Sequence, residues 1–291
     1  MFFGSIPALV TPFSGNCVDE DSLSAFVDWQ VEQGSNGLVP CGTTGEVATL
    51  DADEHRKVIE TVVKVANKRV PVIAGTGTYN TKASIDRTRA AADLGADAVL
   101  AVVPYYNKPS QAGLAAHFLA IADASPIPVV VYNVPSRTVA DISVETLGEI
   151  AQHPKIVAVK DATGNLARVS AQRLSCGRDF CQLSGNDDMA LGFSAMGGVG
   201  CISVSANVAP KLCSDFQKAI REGRWDDAVE LQDRLYPLHA ALFTDASPAP
   251  AKYALSRVRK GFPTELRLPL VEASEASKRA VDAALDHAGL I

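Results

Sequence analysis

Eight short apolar runs, each bounded by Gly, Pro or Asn, alternate along the chain with stretches of helical spacing. The runs are Ile6 to Phe13, Gly37 to Cys41, Pro71 to Gly75, Ala98 to Pro104, Pro128 to Val134, Ile156 to Asp161, Gln182 to Gly185 and Gly198 to Val204. The helical stretches run Asp19 to Gln33, Asp51 to Asn67, Thr81 to Leu94, Ser110 to Asp123, Ser143 to Gln152, Asn165 to Cys176, Asp187 to Met196 and Pro210 to Arg221. Strict strand and helix alternation demands parallel strands with helical crossovers, and eight such units match a closed (β/α)8 barrel better than an open doubly wound sheet. The expected fold class is α/β, a TIM barrel. Its first strand is the weakest, because Pro7 and Pro12 remove two ladder donors.

Beyond Gly223 the strands stop. Trp225 to Leu238 places Ala228, Leu231, Leu235 and Leu238 on one helical face. A further helix follows Ser247-Pro248-Ala249-Pro250, and another runs from about Ser274 to Ala288. Residues 1–223 are thus expected to form the catalytic barrel and 224–291 a small helical appendage. The 291 residues suit one large domain with that addition.

The chemistry should lie at the carboxyl ends of the strands, where a barrel of this kind presents its loops. Strand six ends on Lys160, inside a β-branched run that otherwise reads as fully buried. An ammonium taken out of water costs several kcal/mol, so a lysine so placed is either paired or held as a reactive neutral amine. Asp161 is a poor partner, because adjacent strand residues point to opposite faces. The other strand ends bring Gly42-Thr43-Thr44-Gly45-Glu46, Gly75-Thr76-Gly77, Tyr105-Tyr106-Asn107, Tyr132-Asn133-Val134-Pro135-Ser136-Arg137, Ser184-Gly185-Asn186 and Ile202-Ser203 to the same mouth. Any one of these alone reads as an ordinary loop or a packed rim residue. Together they suit Schiff-base chemistry on a small carboxylated carbonyl compound. Lys160 is the expected nucleophile and Tyr132 the proton shuttle. Thr43 and Thr44 offer hydroxyls and N–H groups to a carboxylate, and Arg137 can bind a second one bidentately.

Other chemistries fit less well. A net charge of −6 leaves no basic footprint for nucleic acid. The amino terminus lacks the positive region of a secretory signal, and no apolar run is long enough to span a membrane, so a cytoplasmic protein is expected. The six cysteines form no Cys-x-x-Cys pair and read as free thiols. None of the five histidines stands at a strand end with ligand spacing, so no metal is expected. Gly197-Gly198-Val199-Gly200 precedes a strand instead of opening a helix, and Asp187 and Asp188 would repel phosphate, so no nucleotide cofactor is expected either.

These motifs, from Gly4-Ser5-Ile6 through Pro40-Cys41-Gly42-Thr43-Thr44-Gly45-Glu46, Tyr132-Asn133-Val134-Pro135-Ser136-Arg137 and Lys160-Asp161-Ala162-Thr163-Gly164-Asn165 to Arg267-Leu268-Pro269, resemble the dihydrodipicolinate synthase family, within the pyruvate-dependent class I aldolases that include N-acetylneuraminate lyase. The resemblance covers nearly the whole chain. It implies an imine of Lys160 with pyruvate, condensation with L-aspartate 4-semialdehyde, and release of 4-hydroxy-tetrahydrodipicolinate for diaminopimelate and lysine biosynthesis. It implies a relay of Thr44, Tyr132 and Tyr106, with Tyr106 reaching in from a neighbouring subunit of a tetramer built from two tight dimers. Backbone around Gly185 and Ile202 would line the pyruvate pocket. Arg137 separates the synthases from the sialic acid lyases. Asn186 stands where many relatives have Asp. Val47, Ala52, Tyr79 and Ala83 replace the polar residues of lysine-regulated relatives, which implies weak or absent feedback inhibition by lysine. A sugar-acid aldolase or dehydratase, or a non-catalytic ligand-binding barrel, remain as alternatives.

Overall fold

The computed structural model describes residues 2–291. Its strands are β1 (Gly4–Pro7), β2 (Phe13–Ser14), β3 (Cys17–Val18), β4 (Ile73–Gly75), β5 (Ala98–Val102), β6 (Val129–Asn133), β7 (Ile156–Asp161), β8 (Cys181–Ser184) and β9 (Gly200–Ser203). Seven form one parallel sheet in the order β1-β9-β8-β7-β6-β5-β4. Residues 38–40 fill the gap between β4 and β1: Val39 N–H donates to Pro7 O at 2.9 Å, and Ile73 N–H and Gly75 N–H donate to Leu38 O and Pro40 O, both at 2.9 Å. The sheet therefore closes into a barrel.

That closing segment was expected as a full strand and is reduced to isolated bridges, Ala8 with Val39 and Leu38 with Val72. Pro40 and Pro71 each lack the N–H that a longer ladder needs. The first strand also differs from expectation, running Gly4–Pro7 rather than Ile6 to Phe13. Beyond it, Phe13–Ser14 turns back on Cys17–Val18 as a small hairpin. Gly15 and Asn16 both take positive φ, 58° and 64°, as a two-residue hairpin turn requires.

Strand alternation sorts the side chains into two layers. Ile6, Ile73, Leu100, Val130, Ala158, Leu183 and Ile202 fill the barrel interior. Val99, Ala101, Val129, Val131 and Val159 face outward and pack with helix residues such as Phe26, Ile59 and Phe118. Bulky branched residues dominate both layers, as a packed barrel core needs. The appendage consists of the helices Trp225–Ala241, Ala249–Val258 and Glu275–Ala288. Leu235, Leu238, Leu255, Val281 and Leu285 join the outer core rather than building a separate one.

The seventh helical stretch breaks into a short 3-10 turn, Asp187–Met189, and a helix, Ala190–Ala195. The cause is Asp187, whose carboxylate turns inward to accept the N–H groups of Val204 at 2.8 Å and Ser205 at 3.2 Å. A short helix, Pro135–Thr138, also follows β6 and opens on a proline, which fits a first helical position.

Candidate active site

Lys160 lies one residue from the end of β7 and is only 6% exposed. Alternation puts it on the inner face with Ala158, in the same layer as Tyr132 of β6. The two are direct neighbours across the ladder, and Lys160 Nζ lies 4.2 Å from the centre of the Tyr132 ring. Among the described residues no carboxylate pairs with it. Asp161, its chain neighbour, faces outward and accepts Thr163 N–H at 2.9 Å, Arg168 Nε at 3.0 Å and Gln172 Nε2 at 2.6 Å.

Gly185, just past β8, makes room for the lysine stem. A Cβ there would stand 2.7 Å from Ala162 Cβ and 3.2 Å from Lys160 Cε, closer than packed carbons sit. Ile202 is 1% exposed and joins Tyr132 and Leu183 in the inner layer.

The turn 42–46 supplies the donors. Its carbonyls are engaged inside the turn, Gly42 O by Gly45 N–H at 3.1 Å and Thr43 O by Glu46 N–H at 3.1 Å. The N–H groups of Gly42, Thr43 and Thr44 find no acceptor among the described residues. A run of free N–H groups in a tight turn is a concavity suited to an anion. Thr43 and Arg137 line one cavity of about 250 Å³ together with Val47, Ala48, Gly77, Val102, Tyr105, Val134 and Thr138. Thr44 is buried and Arg137 is exposed, without an ion-pair partner among the described residues.

Tyr106 is not brought to this site within the chain. It is 91% exposed and holds a left-handed backbone, φ 66°. A bulky residue in that conformation is uncommon and marks a strained turn.

Some site-supporting residues escaped the sequence reading. Behind the strand ends, Asn133 Nδ2 donates to Asp141 at 2.7 Å, and Arg168 bridges Asp161 to the carbonyl of Ile142 at 2.9 Å. Asn133 and Asp161 are themselves ladder neighbours. The residues that follow Tyr132 and Lys160 are thus tied into one network. Glu46 forms a buried ion pair with Lys252, at 2.5 Å. The signal for Lys252 was faint but present: a lone lysine among Ala251, Ala254 and Leu255 on an otherwise apolar helix face.

A parallel barrel with an unpaired inner lysine, a tyrosine against it and free N–H donors in a turn at its mouth has the groups that a barrel enzyme of the Schiff-base class needs. The sequence pattern of the Dihydrodipicolinate synthetase family matches residues 1–288, and the chain belongs to that family. Over its whole length it is 63% identical to the 4-hydroxy-tetrahydrodipicolinate synthase of Zymomonas mobilis and 60% identical to that of Rhizorhabdus wittichii, each of which it covers completely. Among solved structures it matches the chloride-inhibited dihydrodipicolinate synthase of Acinetobacter baumannii complexed with pyruvate, at 43% identity and a TM-score of 0.97 over all of both chains. The Aquifex aeolicus dihydrodipicolinate synthase gives 41% identity and a TM-score of 0.96, covering 99% of each chain.

Proposed function

We propose that the chain condenses pyruvate with L-aspartate 4-semialdehyde to give 4-hydroxy-tetrahydrodipicolinate, in diaminopimelate and lysine biosynthesis. The observation that carries this reading is Lys160 Nζ, buried in the barrel without a counter-ion and set against the Tyr132 ring. Whole-length identity of 60% and above to named synthases supports it independently.

The N–H and hydroxyl groups of Thr43 and Thr44 hold the pyruvate carboxylate. The Lys160 amine adds to the ketone carbon, and Tyr132 carries the proton that lets water leave the carbinolamine. Loss of a methyl proton gives the enamine, whose carbon attacks the aldehyde of the second substrate while Arg137 holds that substrate's carboxylate. The substrate's amino group then replaces Lys160 at the imine carbon, closing the ring and freeing the enzyme. Ile202 and the backbone at Gly185 wall the pyruvate end of the pocket.

Thr44 links Tyr132 to Tyr106 in the relay, and Tyr106 comes from a second subunit. An aromatic side chain left in solvent at 91% exposure gives this reading its structural motive. The assembly is a tetramer of two tight dimers, in the cytoplasm. Lysine binds weakly or not at all, since Tyr79, packed edge-on against Tyr105 at 5.3 Å, stands where regulated relatives offer a polar group.

The acceptor is tested by supplying pyruvate with either aspartate semialdehyde or a set of sugar-acid aldehydes, and following pyruvate consumption. Turnover with the semialdehyde is expected to exceed the rest by orders of magnitude. Preference for a sugar-acid aldehyde would reassign the chain to a related aldolase.

A further inference from the structure

Glu46 and Lys252 are joined with both side chains completely buried. Desolvating two charges costs several kcal/mol per ion, so such a pair is a poor means of adding stability alone. Its location suggests another use. Glu46 ends the turn that carries Thr43 and Thr44, and it holds a left-handed backbone with φ 55°. Its second carboxylate oxygen accepts Arg267 N–H at 3.2 Å. Lys252 lies on the appendage helix Ala249–Val258, donates also to Glu265 O at 2.6 Å, and sits 4.4 Å from the centre of the Phe13 ring. Arg267 stacks over the same ring at 4.3 Å and donates to Thr49 O at 2.9 Å, just past the turn.

The barrel side of the turn is equally constrained. Thr11 Oγ1 donates to Gly45 O at 2.8 Å, and a Cβ on Gly45 would stand 2.9 Å from Leu9 O. The turn is therefore held on one side by the barrel wall and on the other by the appendage, while the N–H groups of Gly42, Thr43 and Thr44 are left without an acceptor among the described residues.

We propose that Glu46 and Lys252 are positioning residues: through their buried pair the C-terminal appendage sets the aim of the Thr43–Thr44 donors, and thereby the enzyme's affinity for the carboxylate of pyruvate. The proposal rests on the reading that this turn holds that carboxylate. It gives the appendage a part in catalysis that the barrel alone does not supply.

The test removes both charges with little change in volume, in a Glu46→Gln/Lys252→Met double variant. No uncompensated buried charge then remains to unfold the protein. Three quantities are read: the melting temperature, KM for each substrate, and the pyruvate concentration that half-saturates borohydride trapping on Lys160. Misaimed charge-assisted hydrogen bonds raise KM for pyruvate and the trapping half-saturation about 10- to 100-fold, with the KM for aspartate semialdehyde changed far less. A melting temperature near wild type with that shift supports positioning. A folded double variant that traps pyruvate at the wild-type concentration overturns it. Should the double variant fail to melt cooperatively, Glu46→Asp keeps both charges and shortens the reach by one methylene. The same trapping titration is then expected to shift, and an unshifted curve overturns the proposal. Wild-type enzyme that traps no pyruvate at all would overturn both the reading of Lys160 and this inference.

Discussion

Lys160 Nζ lies 4.2 Å from the centre of the ring of Tyr132, its direct neighbour across the ladder, so the Tyr132 side chain is the one assigned to proton transfer at a carbinolamine on that lysine. Removing only that hydroxyl, in Tyr132→Phe, is expected to lower kcat by about 10²- to 10⁴-fold with the fold intact, read by steady-state kinetics beside a melting curve. A kcat within a few-fold of wild type would take the proton-transfer role away from Tyr132. His117 bears on stability instead. It is buried between helices, its Nδ1 against Thr81 Oγ1 at 2.9 Å, and burial pushes its pKa down to about 4 from an ordinary 6.5. The unfolded chain takes up that proton near 6.5 and the folded chain only near 4, so protons favour unfolding between the two. The stability is fully present above pH 6.5 and is lost as pH falls towards 4. Urea unfolding at pH 7 and pH 5 should show this loss, roughly 1–2 kcal/mol from this residue, and His117→Gln should flatten the slope. His55 and His239, also lowered by burial, act in the same direction.

At the scale of elements, the ends of β6 and β7 depend on groups outside the sheet. Asp161 and Asn133 are held by Arg168, Gln172 and Asp141, and Arg168 and Asp161 are both largely buried. Arg168→Met would leave the Asp161 carboxylate short of its charge partner, and a loss of about 3 kcal/mol in chemical denaturation is expected. A change within 0.5 kcal/mol, the ordinary size for a surface substitution, would show the network to be dispensable. Most of the elements that build this mouth could be read from the sequence, because strand runs and helical spacing announce themselves locally. Lys160 was legible for the same reason, as a charge out of place in an apolar run. The closing segment 38–40 and the short β1 were harder, since their prolines leave geometry to decide how much ladder survives. The Glu46–Lys252 pair was illegible as a pair: its partners stand 206 residues apart, and only the packing of the appendage on the barrel brings them together. The Asp161 network had the same difficulty over shorter distances, because nothing in a sequence says which buried polar groups share a face.

For the molecule as a whole, the chain carries Lys160, Tyr132 and the threonine turn on one barrel, yet leaves Tyr106 in solvent. If a second subunit completes the relay, two defective chains can repair each other. Tyr106→Phe and Lys160→Met variants, each nearly inactive alone, should recover activity when unfolded together and refolded as mixed assemblies, because some sites then combine an intact Lys160 with a Tyr106 from the other chain. Activity no higher than the two separate variants would place Tyr106 outside the relay.

The central claim is that Lys160 forms an imine with pyruvate. Borohydride reduction of the enzyme in the presence of pyruvate, followed by mass spectrometry of its peptides, tests this most directly. The expected result is a 1-carboxyethyl group on the peptide containing Lys160, absent without pyruvate and absent in Lys160→Met. An unmodified Lys160 peptide under conditions of full turnover, or a pyruvate adduct on a different lysine, would contradict the account.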